Sequence, residues 1–234
     1  MNRDNPRRQR TPYSTAPIFL ADEQRHDRRV MTELIDRAYF QELAHQPPED
    51  VCLRALCTYD EAEREYILPA WGDDFTIDPH GRQIGCVKNN ERDYHEYFHL
   101  FIIYYLLRAK EIETRNEWIS EKDMDGGPTF FRGPHEIPTN LITRRYENDI
   151  EKFRKRCEQI HGSALDMADA AYRFTMAPRI PIAVLYWRGD DEFPAEARIL
   201  YDRTITEHLT LDIVFALAVA ICTRIGTRLA EDMI

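Results

Sequence analysis

The sequence has no CxxC pair, no excess of positive charge and no apolar run of membrane-spanning length, and each absence closes a class of function. Its five cysteines, Cys52, Cys57, Cys86, Cys157 and Cys222, are odd in number and widely scattered. That pattern suits free thiols in a reducing compartment better than a disulfide framework. A net charge of −10 removes the basic face that a nucleic-acid binder normally carries, so no nucleic-acid partner is expected. The longest apolar or aromatic run, residues 97–107, is too short for a bilayer, and we expect no membrane partner. No apolar stretch of about 7–15 residues follows the first arginines, so no secretory signal is expected and the cytoplasm is the expected location. Neither internal repeats nor extended low-complexity segments are visible.

What is present describes a cored protein. Apolar residues make up 43% and aromatics 11% of 234 residues, enough for one well-packed domain. Arg3, Arg7, Arg8 and Arg10 face a single acid, Asp4, at the start. Residues 1–24, polar and proline-punctuated, are expected to form a disordered basic tail, and residues 25–234 a single domain. Val30, Leu34, Ala38, Phe40 and Leu43 predict a helix over 27–45, stopped by Gln46-Pro47-Pro48. A short helix follows to Leu56, with Glu49 and Asp50 in its first turn. Residues 65–68, 74–77 and 83–86 then read as a small antiparallel meander, with turns at Gly72-Asp73 and at Asp78-Pro79-His80-Gly81.

Residues 94–110 organise the rest. The run 97–107 predicts a helix buried on nearly all sides, capped by Asn89 or Asn90. Residues 125–135 hold three glycines and two prolines, which predict irregular backbone pinned by Phe130 and Phe131. Leu141, Tyr146, Ile150, Phe153 and Cys157 predict one amphipathic helix over 140–160, and Ser163 can cap another to about Ala170. Residues 171–176, 180–187 and 197–201 read as strands, the second central and covered on both faces. A second hydrophobic helix spans about 210–229. The fold class expected is α+β: a single domain with a small antiparallel or mixed sheet packed against two hydrophobic helices.

His95-Glu96-x-x-His99 is the HExxH pattern of zinc hydrolases, in which two imidazoles four apart share a metal and the glutamate acts as base. Asn116-Glu117-Trp118-Ile119-Ser120-Glu121 resembles the element that supplies the third ligand in thermolysin-like enzymes. Under that reading His95, His99 and Glu117 or Glu121 hold zinc and Glu96 is catalytic. Against it, a histidine at the end of a buried helix more often hydrogen-bonds than binds metal.

Three further stretches resemble the uncharacterised prokaryotic family known as domain of unknown function 3786. They are Glu65-Tyr66-Ile67-Leu68-Pro69, Gly126-Gly127 through His135, and Arg179-Ile180-Pro181 through Trp187 and Pro194 to Asp202. The likeness covers roughly residues 47–225. It implies an apolar helix without the histidine pair over 91–109, which places the zinc reading second, and it implies no reaction or cofactor. Two irregular loops carry its chemistry. Phe130-Phe131-Arg132-Gly133-Pro134-His135 offers a cation and an imidazole, while Trp187-Arg188-Gly189-Asp190-Asp191-Glu192-Phe193-Pro194 puts three carboxylates on a turn leaving a strand. We expect Arg132 or His135 within about 8 Å of that turn, beside a surface lined by Trp187 and Phe131. The leading expectation is a cytosolic binding or accessory domain, using Arg132, His135, Trp187, Asp190, Asp191 and Glu192 to recognise a small molecule, cofactor or protein partner. The alternatives are the zinc-dependent hydrolase and a structural subunit of a larger complex.

Overall fold

The computed structural model describes residues 35–87 and 94–227. The expected tail, residues 27–34 of the helix placed over 27–45, and Asn89 and Asn90 lie outside the described residues; within them the first helix begins only at Arg37 and the core helix is capped by His95, not by either asparagine.

Asp36 caps α1 (Arg37–Ala44), its carboxylate accepting from the Ala38 N–H at 2.9 Å. α2 (Pro48–Ala55) starts on a proline, where the missing N–H costs nothing, and stops at Leu56 in the left-handed region. Four antiparallel strands follow in simple order: β1 (Thr58–Asp60), β2 (Glu65–Ala70), β3 (Asp73–Asp78) and β4 (Gln83–Cys86). Leu68 lies opposite Phe75 and Ile77 opposite Ile84, so alternate residues enter the core. Between β2 and β3 the chain turns at Trp71-Gly72, both at positive φ; a Cβ on Gly72 would meet the His161 ring at 2.3 Å.

α3 (Glu96–Arg108) is the expected core helix, with Phe98, Phe101, Ile102, Tyr105 and Leu106 wholly buried. It packs on the second hydrophobic helix, α8 (Leu211–Gly226), and against α1 and α2. Among the described residues no helix is long and apolar enough to cross a membrane.

The second sheet is also antiparallel, in the order β5-β9-β8-β7-β6: β5 is Trp118–Ile119, β6 Ser163–Leu165, β7 Ala170–Ala177, β8 Ile180–Trp187 and β9 Glu196–Asp202. β8 is central as expected. Its Ile182, Val184 and Tyr186 join the main core, while Ala183, Leu185 and Trp187 join a smaller cluster on the opposite face with Ala171 and Leu200. The Trp71 N–H donates to the Thr175 carbonyl at 3.0 Å, and the Trp71 indole donates to the Ile160 carbonyl, so the two sheets share one core. The α+β, single-domain expectation therefore holds, with the strands divided between two sheets.

Three further local expectations need correction, and three short elements were missed. The helix placed over 140–160 is two, α5 (Asn140–Tyr146) and α6 (Ile150–Gln159), because Glu147 takes φ 46° and Asp149 caps a new start by accepting from Lys152 N–H. Both helices turn apolar residues to the same core, so the hydrophobic period runs through the break. Residues 163–165 form β6 rather than a helix, because pairing with β7 satisfies their backbone. The glycine loop contains a one-turn helix, α4 (Gly127–Phe130), and a 3-10 turn, Gly133–His135. The short pieces β1, β5 and α7 (Ile205–His208) were not legible, being too brief to show a period.

Candidate functional site

The first loop is held from below by a glycine. Ser120 and Asp123 close a capping box around the 3-10 turn Glu121–Asp123, with Ser120 Oγ donating to Asp123 Oδ2 at 2.7 Å. Gly127 lies so close to that turn that a Cβ would stand 1.9 Å from the Glu121 carbonyl oxygen. Residues 120–123 and the start of the loop are therefore fixed to each other. Phe131 is half-buried against the core, and Arg132, extended at φ −137°, projects into solvent with no side-chain partner among the described residues. Gly133 at φ 58° then turns the chain. His135 folds back, stacking on Phe130 at 4.6 Å and meeting the Phe215 ring edge-on at 5.3 Å.

The acidic loop behaves differently. Asp190 Oδ1 accepts from the backbone N–H groups of Glu192 at 2.8 Å and Phe193 at 2.7 Å, and these bonds hold its carboxyl below the usual range. The Asp190 N–H donates to the Phe193 carbonyl at 2.8 Å, closing the turn on itself. Gly189 permits that closure, since a Cβ there would meet the Ala195 nitrogen at 2.8 Å. Asp191 and Glu192 face solvent. The Trp187 ring lies beneath the Arg198 guanidinium, 5.4 Å from its centroid, and Arg198 also bonds Glu196 at 2.5 Å.

A groove of about 640 Å³ joins the first loop to the strand that leaves the second. Residues 131–133 and 136–137 form one wall with the first turn of α5, residues 120–122 close one end, and residues 195–200 of β9 and its lead-in form the other wall. Arg132 and Phe131 line it. His135, Trp187, Asp190, Asp191 and Glu192 do not; the groove reaches only the foot of the acidic turn, at Ala195. Lys122, Glu121, Glu136 and the β9 edge also line it, and sequence reasoning did not group them. In β9 Glu196 and Arg198 alternate with Ala197 and Ile199, a pattern that marks one face of the strand as solvent-facing and does not tell what packs beside it.

The HExxH residues serve α3. His95 is its N-cap, Nδ1 accepting from the Tyr97 N–H at 3.1 Å, and Glu96 lies in its first turn. His99 is 3% exposed beside Phe75, and burial pushes its pKa down to about 4. Glu117 pairs with Arg203 at 2.6 Å, while Glu121 lines the groove. Among the described residues no three or more His, Cys, Asp or Glu side chains gather as a metal-holding group.

Fold and groove together define a single α+β domain with a groove between the Arg132 loop and β9, and Arg132 has no side-chain partner among the described residues. The family model for a domain of unknown function, DUF3786, matches residues 47–224, and the chain belongs to that family. No curated protein and no solved structure matches it.

Proposed function

We propose that this is a cytosolic binding or accessory domain whose recognition surface is the groove between the Arg132 loop and β9. The observation that carries the reading is Arg132, exposed and without a side-chain partner among the described residues, lining a groove of about 640 Å³ beside a loop held by the Gly127 contact and a capping box. A guanidinium so placed gains most from a carboxylate or phosphate on an incoming group, through paired charge-assisted hydrogen bonds. Phe131 and Ile137 add apolar wall beside it. The acidic loop contributes indirectly: by closing on itself it sets where β9 begins. Nothing in the placement of His95, His99 and Glu117 favours the hydrolase alternative.

A photo-crosslinking residue at Asn140, on the groove rim, tests the reading in the intact cell, with the same residue at Lys155 on α6 as control. A discrete adduct at 140, weakened by Arg132→Glu, supports it. Equal adducts at both positions, or an adduct indifferent to Arg132→Glu, would count against it.

A further inference from the structure

Two of the five cysteines stand together, away from the groove. α2 ends with Leu56 in the left-handed region, its N–H donating to the Cys52 carbonyl. The Cys57 N–H donates to the same carbonyl at 3.3 Å, so the chain doubles back and sets Cys57 beside Cys52. The Cys57 thiol then donates toward the Cys52 sulfur, 3.9 Å away. A spacing of five residues hides this pair in the sequence, where a redox pair is sought as CxxC. Cys57 is 8% exposed and belongs to the core, whereas Cys52 is only half-buried against it.

The segment that joins them is tied to the rest of the fold. Arg179 donates to the Arg54 carbonyl at 2.9 Å, and the Arg54 guanidinium donates to the Ala109 carbonyl at 3.2 Å. The Tyr105 hydroxyl donates to the Ala55 carbonyl at 3.1 Å. The backbone thus holds the two sulfurs side by side, and rotation of the half-buried Cys52 side chain brings them toward the roughly 2.05 Å of a disulfide. Burial pushes both thiols up, while the Cys57 S–H bond draws Cys52 part of the way back. Cys52 is therefore the sulfur that attacks first, with Cys57 enclosed behind it. Cys86, Cys157 and Cys222 are buried, out of a solute's reach.

We infer that Cys52 and Cys57 form a reversible two-electron redox site whose oxidant is a low-molecular-weight disulfide. The Cys52 thiol loses its proton and attacks one sulfur of that disulfide, forming a mixed disulfide and releasing one small thiol, which takes the proton. The Cys57 sulfur then attacks Cys52 Sγ and passes its own proton to the departing second thiol. The bond between Cys52 and Cys57 forms as the mixed disulfide breaks. Two protein thiols are oxidised, one small disulfide is reduced to two thiols, and excess small thiol runs the sequence backwards. The crosslink pins the turn that presents exposed Leu53 and Leu56.

Arg54 lies between the two cysteines, so trypsin separates them, and only their disulfide holds peptides 38–54 and 55–64 together. The test treats the full chain with oxidised glutathione in native buffer, then quenches in acid, alkylates in urea and maps the peptides by mass. The linked pair should be the main oxidised product, should disappear in reduced glutathione, and should form about tenfold faster per pH unit between 7 and 8. Cys57→Ser should stop at a stable glutathione adduct on Cys52, and Cys57→Ala, run beside it, leaves no hydroxyl in the core. In Cys52→Ser, Cys57 should react at least about tenfold more slowly than in the unaltered chain. An unreacted chain, a Cys52 adduct that never resolves, or Cys57 reacting as fast without Cys52 overturns the inference. So does linkage of Cys57 to Cys86, Cys157 or Cys222, which would report unfolding.

Discussion

The two loops that carry the family likeness resemble each other in composition and differ in how they use their charges. Both combine glycine, proline and aromatic residues with a charged cluster. In the acidic loop, Asp190 spends its carboxylate on its own turn, and Gly189 lets that turn close onto Ala195. In the other, the glycine is buried under Glu121, the imidazole stacks on Phe130, and the guanidinium has no partner among the described residues. A polar group already satisfied locally has little to offer a ligand, while one held by a rigid support and unpaired has much. Charge clusters in a sequence do not reveal which case applies.

The largest expected effect separates both loops from the core. His99 is buried neutral with a pKa near 4, below its ordinary 6.5, so the folded state resists the proton that the unfolded chain accepts. The stability is whole above pH 6.5 and is lost as pH falls toward 4, by on the order of 3 kcal/mol. His208, also pushed down to about 4, acts in the same direction. Carboxylates held low, such as Asp190, lose their contribution only at more acidic pH, below their ordinary range. Urea unfolding between pH 7 and 4 should therefore show a slope that His99→Phe reduces. An unchanged slope in that variant would place the acid sensitivity elsewhere.

Next in size is the glycine under the first loop. Gly127→Ala forces a Cβ against backbone rather than a yielding side chain, and should cost about 2–3 kcal/mol. Gly133→Ala meets nothing within 4 Å and is strained only by φ 58°, so about 1 kcal/mol is expected. Thermal melts of the two variants decide it; equal losses would deny that Gly127 is the loop's support.

Smaller still is Asp190→Ala, which removes the two bonds closing the acidic turn and should lower Tm by about 2–4 °C without altering crosslinking at Asn140. The smallest effect is the most telling. Arg132→Ala should leave stability within about 0.5 kcal/mol, because the side chain touches no described partner, yet it should weaken groove occupancy. A large Tm loss would show Arg132 to be structural and bring the two loops closer in kind.

Much of the fold was legible because its signals are local. The apolar run 97–107, the Pro47-Pro48 stop, the turns of the first sheet and the apolar segment 180–187 each declare their element within a few residues. The break between α5 and α6 was hidden because both helices serve one core, and β6 was hidden because a partner strand overrode the capping signal of Ser163. Of the candidate site, Arg132 and its loop were found, along with Glu121 for a different reason. The β9 wall was not, since what packs beside a strand is no property of the strand itself.

By itself the sequence determined the α+β class, the two hydrophobic helices, most strands and the loops rich in charge, since periodicity, turn chemistry and composition act over short range. Only the tertiary structure decided that His95 caps a helix, that the acidic turn satisfies itself, and that Arg132 and β9 line one groove. Some of those outcomes rest on local geometry that composition does not declare, as when Gly127 meets Glu121, and others on groups far apart in the chain, as when Arg203 pairs with Glu117. A hydrogen bond is available for binding only if folding has left it unmade.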